Sequence, residues 1–192
     1  SSSNISGGID NSGTISGTIG IHLESSSDIS GGIDNSGTIS GSKGIYSKGI
    51  YVDDTSDISG GIDNSGTISG TTGISVDSSS DISGGIDNSG TISGSKGIYV
   101  DDTSDISGGI INSGTISGSN TAIFIDTSSD ISGGIDNSGT ISGSNAGIYV
   151  ADNSDITGGI DNSGTISGGT TGISVDSSSD ISGGITNSGI IA

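Results

Sequence analysis

Isoleucine recurs along this chain at fixed intervals rather than in blocks. Close copies of ISGGIDNSGTISG, complete from Ile29 to Gly41, begin at Ile5, Ile29, Ile58, Ile82, Ile106, Ile131, Ile156 and Ile181, at steps of 24, 29, 24, 24, 25, 25 and 25 residues. Within each of the eight copies the next apolar positions follow four and ten residues later, as in Ile29, Ile33 and Ile39. The interval from there to the next apolar pair is six residues in Ile15 to Ile21 and seven in Ile116 to Ile123, and the step from that pair to the following copy is again six, as in Val76 to Ile82. A self-similar period of this length marks a stacked repeat architecture. One corner of the repeat absorbs the length changes, and the tandem SKGIY from Ser42 to Tyr51 predicts a bulged loop there.

The local pattern has a period of two. In GIYVD, Ile98 and Val100 are expected to face inward while Tyr99 and Asp101 face outward, and TIS carries an inward isoleucine between two hydroxyl residues. Gly-Gly and Ser-Gly steps such as Gly31-Gly32 and Ser36-Gly37 supply bends. These features predict an all-β chain: a single parallel β-solenoid spanning residues 1–192, one rung of three or four short strands per repeat, eight rungs in all. At ~4.8 Å per rung the rod is roughly 38 Å long.

Composition sharpens this picture. With 39 glycines, no proline and 27% hydrophobic residues the chain resembles a disordered polymer, but the apolar residues stand at fixed phases and most are β-branched isoleucine, which suits a pleated surface. A net charge of −19 removes the counterion-release term behind nucleic-acid binding and opposes anionic membranes. No apolar run approaches the ~20 residues of a membrane span, so no membrane insertion by this segment is expected. SSSNIS at the start lacks the basic and apolar regions of a signal peptide, so an exported protein is expected to have had its targeting segment removed. Without cysteine there is no disulfide framework or thiolate metal site.

Stacking converts each repeated position into a column. The most uniform polar column, Asn11, Asn35, Asn64, Asn88, Asn112, Asn137, Asn162 and Asn187, is expected to face inward as an amide ladder. Asp28, Asp57, Asp81, Asp105, Asp130, Asp155 and Asp180 form a second column, in which carboxylates ~4.8 Å apart would repel by ~0.9 kcal/mol in water. A second acid often opens the same turn. The pairs Asp77 and Asp81, Asp101 and Asp105, and Asp126 and Asp130 are therefore candidate calcium ligands, with solvated turns as the alternative. No other cofactor is expected. Thr14, Thr38, Thr67, Thr91, Thr115, Thr140 and Thr165, with Ser16, Ser40 and Ser69 beside them, make hydroxyl files of the kind an ice-binding face would use. His22, Tyr51, Ser75, Tyr99, Phe124, Tyr149 and Ser174 form a mixed column suited to ring stacking or to a glycan or neighbouring fibre. With one histidine and no nucleophile motif, no catalytic residue is expected.

The repeated GIDNSGTISG unit resembles the repetitive passenger regions of bacterial autotransporters and related β-solenoid adhesins. The resemblance covers the whole chain. It implies an extracellular, cell-surface location and a structural or adhesive role, with a calcium-stabilised adhesin or an ice-binding protein as alternatives and a surface glycan or receptor as the partner an adhesive role would take. The chain opens almost in phase with its repeat and stops partway through a copy, in which Ile190 replaces Thr and Thr186 replaces Asp. End-to-end assembly into homo-oligomers or filaments is expected on that basis.

Overall fold

The computed structural model describes residues 3–42, 46–176 and 178–192. They contain no helix, and every strand pair is parallel. One turn of the coil is represented by Asp81–Ile82, Ile86–Asn88 and Thr91–Val100, with the next turn starting at Asp105–Ile106. The IDN segments form an 8-stranded sheet, the TISG and GIYV segments share a 13-stranded sheet, and the DI segments form a 5-stranded sheet. Register is residue for residue: Ile86 pairs with Ile62 and Ile110, and Asn88 with Asn64 and Asn112. The expected eight rungs become about 7 turns, because the eighth copy contributes only Ile185–Asn187 and Ile190–Ile191 to the two larger sheets.

The alternation of burial follows from the pleat. Ile86 and Asn88 are buried while Asp87 between them is exposed, and Ile98 and Val100 are buried on either side of half-buried Tyr99. Each rung therefore adds four or five aliphatic side chains to one continuous column, including Ile82, Ile86, Ile92, Ile98 and Val100 at 0–2% exposure. Full burial stabilises each by about 1.5–3 kcal/mol.

Two kinds of turn close the coil. After DI, the second glycine of each Gly-Gly step has φ of 79 to 83°, a left-handed conformation that L-residues avoid. After GIYV the chain uses two successive left-handed non-glycine residues, such as Asp102 (φ 50°) and Thr103 (φ 63°). The strain is held in place by stacking: the Thr103 N–H donates to the Thr127 carbonyl one rung on, at 3.0 Å.

The variable corner lies between TISG and GIYV. Thr91–Val100 and Thr115–Ile125 run through it as single strands, and their register shifts between Gly94 and Lys96. In the longest copy the second SKGIY supplies the sheet strand Lys48–Val52, with Tyr46 exposed before it. The predicted bulge falls largely on residues 43–45, outside the described residues.

Candidate functional site

Several files of side chains run along the rod, and each is built by the register described above. The asparagine file is an amide ladder inside the core wall. Asn64 Nδ2 donates to Asn88 Oδ1 at 2.7 Å, and Asn88 Nδ2 donates to Asn112 Oδ1 at 2.8 Å. Each amide also donates to backbone, as Asn88 does to the Thr115 carbonyl at 3.2 Å and the Gly90 carbonyl at 3.3 Å. Links of the same kind run from Asn11 through Asn35, Asn112, Asn137 and Asn162 to Asn187.

Sequence reasoning missed a buried serine file just before the DI strands. Ser56, Ser80, Ser104, Ser129 and Ser154 are fully buried, and each N–H donates to the hydroxyl oxygen one rung further on, as Ser80 does to Ser104 at 3.1 Å. The signal was a serine directly before every Asp-Ile step. A third acidic file also went unread: Asp10, Asp34, Asp63 and Asp87, outward between the isoleucine and asparagine of each IDN strand, line an open groove together with Ser12, Ser36 and Ser65. Ile111, 52% exposed, interrupts that file.

The aspartates expected to pair within one turn separate into two files. Asp81, Asp105 and Asp130 belong to the DI strands, and their charge meets backbone donors: Asp81 Oδ1 accepts the Asp105 N–H at 3.0 Å, and Asp105 Oδ1 accepts the Asp130 N–H at 2.9 Å. Asp77, Asp101 and Asp126 instead end the GIYV strands. Among the described residues the carboxylates close enough to share a cation are Asp77, Asp101 and Asp102, within 4.8 Å of one another. They converge across rungs, and the group includes none of Asp81, Asp105, Asp126 and Asp130.

Partial burial raises the pKa of Asp77, Asp81, Asp105, Asp126 and Asp130, with neighbouring carboxylates adding to the shift and backbone hydrogen bonds opposing it. Asp53 goes the other way: burial would raise it, but hydrogen bonds from Tyr51, Ser78 and the Asp54 N–H, with the Lys48 charge, hold it below the ordinary value. A carboxyl whose pKa is raised on folding binds its proton more tightly in the folded state. Its stabilising effect is fully present below the unfolded pKa of 3.8 and is lost as pH rises through the folded value. Melting temperature is therefore expected to rise as pH is lowered from about 7 to about 4.5, the reverse of ordinary acid denaturation, with Asp53 opposing only at still lower pH. Circular-dichroism melts across that range check it; a falling melting temperature would contradict the assignment.

A further file is aromatic, and both described lysines lie against it. His22 stacks on Tyr51 with centroids 4.8 Å apart and planes 7° from parallel, and Phe124 stacks on Tyr149 at 5.0 Å and 6°. Ser75 stands in register between Tyr51 and Tyr99 and breaks the stack. The Lys48 ammonium lies 3.1 Å from the Tyr51 centroid. It must lie on the Ser75 side, since His22 covers the other face at 4.8 Å. An ammonium thus takes the place of the missing ring. Lys96 lies 3.1 Å from the Tyr99 centroid and 4.4 Å from that of Phe124, and this stack is the more splayed, at 5.4 Å and 27°. Burial lowers the pKa of both lysines, and carboxylates pull them back, led by Asp77 at Lys48 and Asp101 at Lys96.

The tyrosine hydroxyls bind the strand-end acids. Tyr51 donates to Asp77 Oδ2 at 3.3 Å, Tyr99 to Asp101, and Tyr149 to Asp176 Oδ2 at 3.1 Å. Burial above all, and then the carboxylates of Asp53 and Asp77 at Tyr51 and of Asp101 at Tyr99, raise the two phenols far above the usual value. Ser75 Oγ and Asp77 Oδ1 are buried without a hydrogen-bond partner. The Thr and Ser files of the TIS strands are in register, Thr67 with Thr91 and Thr115, and are half-buried there. No family model, curated protein or solved structure matches this chain.

Proposed function

We propose that the chain is a structural rod segment of an extracellular bacterial fibre or adhesin stalk. One observation carries this reading: the strands stack in parallel, with the Asn, Ser and Ile columns continuous from rung to rung. A spacer needs stiffness along one axis, and stacked nearest-neighbour interfaces provide it. The acidic surface, at net −19, keeps such rods apart in solution. Lengthening by stacking belongs to the same reading.

Antibodies raised against the folded chain should label intact, unpermeabilised cells, and immunogold electron microscopy should place the label on thread-like surface structures. Labelling only after permeabilisation would overturn the proposal. A second reading, a calcium-stabilised adhesin, is favoured by the convergence of Asp77, Asp101 and Asp102. It requires melting temperature to rise with millimolar calcium and fall back with EDTA.

A further inference from the structure

The aromatic file repeats one arrangement twice, and only one of the two is filled by the chain itself. Tyr51 is followed in register by Ser75, and its hydroxyl donates to Asp77 of that next rung. Tyr149 is followed in register by Ser174, and its hydroxyl donates to Asp176 of that next rung. In both places a ring lies on one face, His22 on Tyr51 and Phe124 on Tyr149, while a serine without a ring stands opposite the other face. Three residues before the tyrosine the two sites differ. Lys48 precedes Tyr51 and lays its ammonium on the ring; the position in register with it, through Thr72, Lys96 and Thr121, is Ala146. A methyl group cannot reach the ring.

We propose that the Tyr149 face above Ser174, edged by Asp176, is a binding site for a primary alkylammonium group carried by another molecule, a lysine side chain or a free alkylamine. The rod supplies the internal precedent for the chemistry. An ammonium is attracted to the negative face of a tyrosine ring, and the attraction grows where water is partly excluded. The electrostatics favour it further: the Tyr149 phenol is raised by partial burial, by its hydrogen bond to Asp176 and by the charges of Asp176, Asp152 and Asp126. At Tyr51 the corresponding field, from Asp77 and Asp53, is answered by Lys48. At Tyr149 the described chain supplies no lysine. The site goes beyond the rod function and would serve the rod wherever it is used.

The test is an NMR titration of the whole protein with pentylammonium and, separately, with an acetylated Gly-Lys-Gly amide, each against sodium chloride of equal ionic strength. The amide of Ser174 should shift saturably with either amine; tighter binding of the peptide assigns the natural ligand to protein lysine, and tighter binding of pentylammonium assigns it to a free amine. Asp176→Asn should weaken binding roughly three- to fivefold. Ala146→Lys should abolish it, because the new side chain copies Lys48 and occupies the ring; lysine stands in register with this position at Lys48 and Lys96. Conversely, Lys48→Ala should open a second site, read at the Ser75 amide. No shift beyond the salt control, or shifts unchanged in Ala146→Lys, would overturn the proposal.

Discussion

Gly90→Ala is expected to be among the most destabilising single substitutions in the rod. A Cβ built on Gly90 would lie 2.1 Å from the Gly66 carbonyl oxygen and 2.6 Å from the Ser65 carbonyl carbon, both backbone atoms of the preceding rung. Neither rung can retreat, because the Gly90 N–H donates to the Asn64 carbonyl at 2.9 Å and the Thr91 N–H to the Gly66 carbonyl at 2.9 Å. Relief requires breaking the register locally, so a loss of about 4 kcal/mol or more is expected, beyond the usual overpacking range. Gly13 is the control, since it occupies the same column yet a Cβ there meets nothing within 4 Å. Urea unfolding of the two alanine variants measures the difference. Coincident midpoints would show that the rungs are less rigidly spaced than the stacking requires.

Asn88→Ala should cost about 3 kcal/mol, because it removes one rung of the amide ladder and leaves its neighbours facing a void. Asn64 Nδ2 would lose its 2.7 Å acceptor, and Asn112 Oδ1 would lose its 2.8 Å donor in a site with no exposed surface. Ser89→Ala, one residue on and solvent-exposed, should change stability by less than about 0.5 kcal/mol. Thermal melts of the pair decide the matter, and equal shifts would remove the ladder from the list of what holds the rungs in register. Both substitutions act on contacts between rungs rather than within one. In a one-dimensional stack a damaged interface weakens its two neighbours and leaves distant rungs intact.

The coil and its columns were legible because in-register stacking turns sequence period directly into spatial neighbourhood. Once Ile29, Ile33 and Ile39 recur in every copy, the isoleucine columns and the inward asparagines follow from the pleat alone. The serine file was harder to read. Its members follow a turn of two left-handed residues, such as Ser78 and Ser79 before Ser80, where period-two reasoning about facing fails. The acids misled for a related reason. Proximity along the chain grouped Asp77 with Asp81, whereas the turn between them swings the two into different files and brings Asp101 and Asp102 to Asp77 instead.

The sequence by itself thus determined which residues share a column and which columns face the core, because both follow from a repeat length and an alternation of side chains. Only the tertiary structure decided what each column touches across a corner. The DI carboxylates are relieved by N–H groups of the adjoining rung, and the Lys48 ammonium takes the place of a ring where Ser75 interrupts the stack. Those contacts depend on corner angles and side-chain reach. A corner rich in Ser, Asp, Thr and Gly leaves both open until the rungs above and below are in place, because such residues accept several turn conformations at similar energy.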